Sequence, residues 1–357
     1  MVPERCRTTA VFVALLIVLL AWARCAVAQG SEGWRDPSPH AIRFVPVEHD
    51  VTLEVLDWGG TGRDVVLLAA LGNTAHVFDE FAPKLSNAYH VWGITRRGFG
   101  ASSSPKSGYS ADRLGDDVIA VIDALNLGKP VLAGNSIAGE ELSSIGTRYP
   151  DKVSALVYME AAYSYAFYDD THGDFLIDTL DLQRKLGLLL PGKQAGGDLK
   201  SLIQELLDRD LPGFQKTLQR TNTILNSGLA PTMPQPASND RDSFAAYRAW
   251  HVRALGIAAP ESELRQQFVA TPTGGVGEPR STTATTDAVL AGERKYTTNL
   301  PVPVLAIFAN GGPQADFVER AVHSAVVVRI PNAQHAIFLS SPSVVLEAIR
   351  SFLTKLQ

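Results

Sequence analysis

Apolar positions along the chain follow two rhythms. Short, largely β-branched runs at 42–47, 51–58, 65–69, 90–95, 131–133, 156–159, 304–308 and 326–330 predict strands. The first two read as an antiparallel opening pair, and the rest lack the polar alternation of a half-solvated sheet, so they read as strands buried on both faces. Between them lie segments with helical spacing. Over 112–127 acidic residues fall in the first turn, and Val118, Ile119, Val121, Ile122 and Leu125 share one face, which predicts a helix packed on the sheet. A last helix is expected over 343–356. The expected fold class is α/β, a mostly parallel eight-stranded sheet with helices on both faces.

One interval breaks the rhythm. From about 164 to 300 no buried-strand run occurs; helical spacing appears at 176–190, 199–206 and 243–255, and the stretches 230–242 and 271–286 are rich in Pro, Gly, Ser and Thr. The expected organisation is a core over 29–164, an inserted helical lid over 165–298, and a second part of the core over 299–357. An insertion of that length beside an active site is expected to roof it.

The first residues differ from the rest. Arg5 and Arg7 precede an apolar run at 10–23, and Ala26-Val27-Ala28 places small residues where a signal peptidase reads them. Cleavage is expected after Ala28, giving a secreted or periplasmic protein. The alternative is an uncleaved anchor, but the run is shorter than the roughly 20 residues of a spanning helix, so no stable membrane span is expected in the mature chain. A lipid anchor on Cys25 is disfavoured by Arg24, which stands where a small residue would be needed. Removing 1–28 also removes Cys6 and Cys25, so the remaining chain forms no disulfide. It carries 29 basic and 36 acidic residues, net −7, with no basic tract and no zinc-like Cys/His spacing. Nucleic acid is therefore not an expected partner.

The most informative segment is Val131-Leu-Ala-Gly-Asn-Ser-Ile-Ala-Gly139, a strand that runs straight into a helix. Gly134-Asn-Ser136-Ile-Ala138 has small residues two before and two after the serine, as a nucleophile elbow requires, with Ala in place of the more usual second Gly. Ser136 is the expected nucleophile, with the Ile137 amide facing a developing oxyanion. These residues, with Val65-Val-Leu-Leu-Ala-Ala-Leu71 and Ile94-Thr-Arg-Arg-Gly-Phe-Gly-Ala-Ser102, resemble the α/β-hydrolase superfamily over nearly the whole mature chain. The resemblance implies the α/β-hydrolase fold. Where that family has a His-Gly oxyanion turn this chain has Ala69-Ala70, and the Leu71 amide is expected as the second oxyanion donor.

His335, in Pro331-Asn-Ala-Gln-His335 after the last strand, is the expected general base, because imidazole can take and return a proton near neutral pH. Most other histidines, including His76, His90 and His251, read as surface residues. Two acids compete. Asp316 follows the strand at 304–308 rather late; Glu160 ends the strand after the elbow, within a Tyr158-Met-Glu-Ala run similar to a subgroup of haloalkane dehalogenases. That resemblance favours Glu160. It stops at the nucleophile, which is an aspartate in those enzymes, so dehalogenation is not expected.

The aromatics Tyr158, Tyr163, Tyr165, Phe167 and Tyr168 either line a pocket or pack the insertion on the core, and the acidic pairs at 169–170 and 208–210 read as solvated faces. Serine with a histidine base suits acyl transfer on a small-molecule, ester-like substrate, with no metal or organic cofactor. A C–C bond hydrolase, lactonase or amidase would use the same groups, and a ligand-binding protein on this scaffold is the non-catalytic alternative.

Overall fold

The computed structural model describes residues 34–169, 171–190, 198–228, 234–291 and 297–356. The expected export signal at 1–28, with both cysteines, lies outside the described residues. Among the described residues ten strands are present: β1 (Ala41–Glu48), β2 (Val51–Gly59), β3 (Asp64–Leu68), β4 (His90–Ile94), β5 (Val131–Asn135), β6 (Ala155–Met159), β7 (Phe268–Ala270), β8 (Val276–Pro279), β9 (Val304–Ala309) and β10 (Ala325–Ile330). Eight form one sheet in the order β1-β2-β4-β3-β5-β6-β9-β10. The pairs β1/β2 and β2/β4 are antiparallel, and every other pair is parallel. The mostly parallel eight-stranded sheet expected from the apolar runs is the one observed.

The chain leaves β3 toward one edge of the sheet and β5 toward the other. In an open α/β sheet the carboxyl ends of two such strands bound a crevice, and here they lead into Ala69–Leu71 and Ser136.

The uninterrupted apolar runs are explained by cover on both faces. Val66, Leu68, Leu132, Leu156, Tyr158 and Val304 belong to one buried cluster, with Val118, Val121 and Ile122 of α1 (Ala111–Ala124) and Leu142 and Ile145 of α2 (Ala138–Arg148). Their neighbours Val65, Leu67, Val131, Ala133, Val157 and Leu305 join a second cluster, with Phe78, Phe81 and Phe338. Each fully buried aliphatic side chain contributes about 1.5–3 kcal/mol. β1, at the sheet edge, exposes Ile42 and Phe44 but carries Pro46 and a register shift, which blunt pairing with another chain.

The segment between β6 and β9 holds α3 (Phe175–Leu188), α4 (Leu199–Glu205), α5 (Leu211–Asn226), α6 (Phe244–Leu255), α7 (Glu261–Gln267) and α8 (Thr283–Leu290). Pro212 lies in the first turn of α5, where a missing N–H costs no hydrogen bond, and one π-turn (Leu206–Asp210) joins α4 to α5. The stretch 271–286, rich in Pro, Gly, Ser and Thr, contains the turn and second strand of the β7/β8 hairpin and the start of α8. After β9 come α9 (Pro313–Ala321) and α10 (Pro342–Thr354); α10 buries Val345, Ile349 and Phe352 in the second cluster. Among the described residues no helix is long and apolar enough to cross a membrane.

Candidate active site

Ser136 stands between β5 and α2 with φ +57°, and it is 6 % exposed. A non-glycine residue held there costs about 1–3 kcal/mol, so surrounding contacts must enforce it. They do so from both sides: the Ser136 N–H donates to the Met159 carbonyl at 3.3 Å, and the Gly139 N–H donates to the Ser136 carbonyl at 2.9 Å. A Cβ on Gly134 would meet Ala138 Cβ at 2.8 Å, so the turn needs one glycine of that pair and tolerates alanine at the other. Gly139 lets α2 approach β6, since a Cβ there would lie 2.1 Å from the Ala161 carbonyl oxygen.

Neighbouring strand ends turn in the same way. Glu160 follows β6 with φ +52°, and Asn310 follows β9 with φ +64°. The Glu160 N–H donates to Ile307 O at 2.9 Å, and its Oε1 accepts the Ala309 N–H. Oε2 lies 3.6 Å from Nδ1 of His335, whose side chain is 56 % exposed. The loop bearing His335 is fastened twice. Asn135 Nδ2 donates to Met159 O at 2.7 Å and to His335 O at 3.2 Å, and Asn310 Nδ2 donates to Ala333 O at 3.1 Å while its Oδ1 accepts the Asn332 N–H at 2.6 Å.

The structure therefore brings Glu160 and His335 together at strand ends beside Ser136. Among the described residues no hydrogen bond links Ser136 Oγ to the His335 ring, a contact that commonly tightens only around substrate. Asp316 is not brought there; it is exposed on α9 and paired with Arg329 at 2.7 Å, which also holds Glu319 at 2.8 Å. Sequence reasoning passed over Asn310. Its signal was available: an asparagine at the strand end where an acid was sought.

Leu71 lies in the turn after β3. The carbonyls of that turn are held by Arg96, whose Nη2 donates to Ala69 O at 2.9 Å while its Nε and Nη2 reach Glu141 of α2 at 2.6 and 2.9 Å. This buried pair couples the turn to the helix behind the elbow, a role the sequence did not reveal. Among the described residues neither the Leu71 nor the Ile137 N–H donates a hydrogen bond. Their side chains pack with Phe99, Tyr109 and Tyr165, and with Val289 and Leu290 of α8, so part of the intervening segment covers this end of the sheet.

The loop after Leu71 is anchored on α7. Fully buried Glu263 accepts from Thr74 N at 3.0 Å, Asn73 Nδ2 at 2.9 Å, Gln267 Nε2 at 2.7 Å and the Thr74 hydroxyl, and burial pushes its carboxyl above the usual range. His76, expected at the surface, is 1 % exposed. Burial opposes its charge, but Asp36, Asp79 and Glu54 reverse the effect, and its imidazolium is pushed up to about 12.

The aromatics flanking Glu160 serve packing. Tyr158 lies tilted against Phe167 at 5.2 Å and Tyr163 edge-on to Tyr168 at 5.5 Å, and both pairs belong to the core. The acidic positions in the intervening segment are engaged within the protein: the Tyr163 hydroxyl donates to Asp169, and Asp210 pairs with Lys185 at 2.7 Å. Asp170 lies outside the described residues. A cleft of about 1040 Å³ lies among α3, α5 and the π-turn and is lined by residues such as Lys185, Asp210 and Arg220. Ser136, Glu160 and His335 do not line it, so it is not the place where their chemistry would occur.

Comparison with known proteins agrees with this architecture. Residues 65–253 match the family model described as alpha/beta hydrolase fold. The 2-(acetamidomethylene)succinate hydrolase of Mesorhizobium japonicum is 27 % identical over 110 residues, 31 % of this chain and 39 % of that protein. The 3-oxoadipate enol-lactonase 2 of Acinetobacter baylyi is 27 % identical over 114 residues, 32 % and 43 % of the two chains. The chain thus spans about two fifths of the length of these curated relatives. Among solved structures, E-2-(acetamidomethylene)succinate hydrolase superposes with a TM-score of 0.61 at 19 % identity, covering 88 % of this chain and 99 % of that one. A thermophilic esterase from Thermogutta terrifontis gives 0.56 at 16 % identity, covering 88 % and 99 %. At these identities the likeness is one of fold.

Proposed function

The chain belongs to the α/β-hydrolase family, and on that premise we propose that it is a serine hydrolase that cleaves carboxylic esters through an acyl-enzyme on Ser136. The observation that carries this reading is Ser136 held at positive φ at the end of β5, one strand from the Glu160–His335 pair. Because Glu160 faces Nδ1, Nε2 of His335 is left to take the serine proton. Oγ attacks the ester carbonyl carbon, and the oxyanion that forms is met by the Leu71 and Ile137 amides, each such donor contributing about 10²–10³ in rate. The imidazolium returns the proton to the departing alcohol as the C–O bond breaks. Water, deprotonated by the same imidazole, then attacks the acyl-enzyme and releases the acid. Glu160 keeps the ring oriented and offsets its charge throughout. The segment between β6 and β9 serves as a lid, its α8 supplying an apolar wall beside the two amides.

Lactone cleavage is the second reading, supported by the enol-lactonase among the relatives, since a lactone is a cyclic ester opened by the same steps. We also propose that residues 1–28 direct export and are removed after Ala28, which N-terminal sequencing of the extracytoplasmic protein would test. The hydrolytic reading is tested with a fluorophosphonate probe and short-chain aryl esters. Wild-type protein should be labelled on Ser136 and turn over many times, and Ser136→Ala should do neither. A wild type that stays unlabelled beside a reactive control esterase, yet is stabilised by an ester, would instead be a binding protein.

A further inference from the structure

A second group of metal-ligating side chains lies apart from the hydrolytic residues. Asp36 and His40 come from the segment leading into β1, and His76 and Asp79 from the helical turn (Ala75–Phe78) beyond Leu71 and the residue that ends it. One donor atom from each lies within 4.8 Å of all the others. His40 Nδ1 is 2.9 Å from Asp79 Oδ1 and His76 Nδ1 is 3.1 Å from Asp79 Oδ2; Asp36 Oδ2 is 3.5 Å from His76 Nδ1 and 3.8 Å from His40 Nε2. Tetrahedral zinc with bonds of about 2.0–2.1 Å sets its ligand atoms about 3.3 Å apart, within the 4.8 Å that encloses one donor atom from each residue.

We propose that Asp36, His40, His76 and Asp79 bind one zinc-class divalent transition-metal ion. Metal binding displaces the His76 proton, and with both imidazoles then neutral the four groups carry two negative charges, which a dication cancels. Two nitrogen donors select a transition metal over magnesium or calcium, which favour oxygen-only sets. The cluster is enclosed: the side chains of His40, His76 and Asp79 are buried, and that of Asp36, at the outer edge, is partly open. Its carboxylate and imidazole are also supported from behind, as metal ligands usually are. Asp79 accepts from Ser262 Oγ at 2.6 Å, Ser38 Oγ at 2.8 Å and Trp58 Nε1 at 3.2 Å. His76 Nε2 makes no hydrogen bond and faces Glu54 Oε1 at 3.5 Å, where a ligating imidazole would direct its second N–H. The ligands come in two pairs, three and four residues apart, without cysteine, so they escape a search for Cys/His spacing.

The acyl-transfer steps use none of these residues, so the ion's role is to clamp the segment before β1 and α7, through Ser262, to the loop that follows Leu71. The site is tested on the full folded chain, stripped with a chelator and dialysed against ZnCl₂ or CoCl₂. The expected results are one retained equivalent per chain, the strong visible bands of four-coordinate Co²⁺, and a rise in melting temperature with Zn²⁺. Asp36→Asn with His40→Gln should abolish retention, and Glu54→Gln should weaken it about 10- to 100-fold. A folded wild type that retains neither ion overturns the proposal, as does retention unchanged in the double variant. Should that variant fail to fold, the wild-type Co²⁺ spectrum decides, because the pale spectrum of six-coordinate Co²⁺ also overturns it. The result is independent of ester turnover, which the Ser136 labelling experiment reads separately.

Discussion

Glu160→Gln is the substitution that most sharply tests how His335 is supported. Glutamine keeps the length of the side chain and an oxygen for the Ala309 N–H, so the loop geometry is retained while the charge facing Nδ1 is lost. At 3.6 Å a carboxylate and an imidazolium attract by about 1 kcal/mol in bulk water and about 5 kcal/mol at an effective dielectric of about 20. His335 is more than half exposed, which weights the value toward solvent and gives roughly 2–3 kcal/mol. At about 1.36 kcal/mol per decade, kcat should fall roughly 30- to 150-fold. That is less than the ~10⁴ seen when a buried triad acid is neutralised. The assay is steady-state hydrolysis of a short-chain aryl ester, with circular dichroism to confirm the fold. Asp316→Asn is the control, and because Asp316 holds only Arg329 it should leave kcat within about 2-fold. A larger loss in Asp316→Asn than in Glu160→Gln, or a Glu160→Gln enzyme as fast as wild type, would refute the assignment.

Four further outcomes are expected. Ser136→Gly relieves the positive φ and should gain about 1 kcal/mol in denaturant unfolding while losing all turnover; a loss of stability would show the elbow to be unstrained. Asn310→Gly preserves the backbone but removes the two side-chain hydrogen bonds of Asn310 to the His335 loop, leaving that of Asn135, and should lower kcat about 10- to 100-fold with little change in KM. Arg96→Ala strands buried Glu141 and should cost about 3–5 kcal/mol, with equilibrium unfolding as the readout. Burial lowers the imidazole of His251 on α6 below 6.5, so the folded state binds fewer protons than the unfolded chain at mildly acid pH. Stability should therefore fall as pH drops below 6.5, and His251→Asn should flatten that slope between pH 7.5 and 5.5 in thermal melts; identical slopes would refute it.

The core was legible because a sheet covered on both faces leaves an unmistakable mark: strands such as β5 and β6 contain no exposed position, and the apolar runs end where the sheet ends. Ser136 was legible for a steric reason, since Gly134 and Ala138 are the residues a tight strand-to-helix turn demands. The supporting groups were not, because their effect depends on partners far apart in sequence. Arg96 matters through Glu141, Asn310 through Ala333, and His76 through Asp36 and Glu54.

The left-handed residues at the rim give each position a double character that a saturation mutagenesis screen would separate. Ser136, Glu160 and Asn310 close β5, β6 and β9 in backbone conformations that glycine adopts most freely. Selection for abundance alone should therefore enrich glycine at all three, whereas selection for turnover should purge it. Elsewhere in the core the two selections should agree, because there shape alone is at stake. Divergence between the two maps, confined to the carboxyl ends of adjacent strands, would locate the working edge of the sheet without any knowledge of what it acts on.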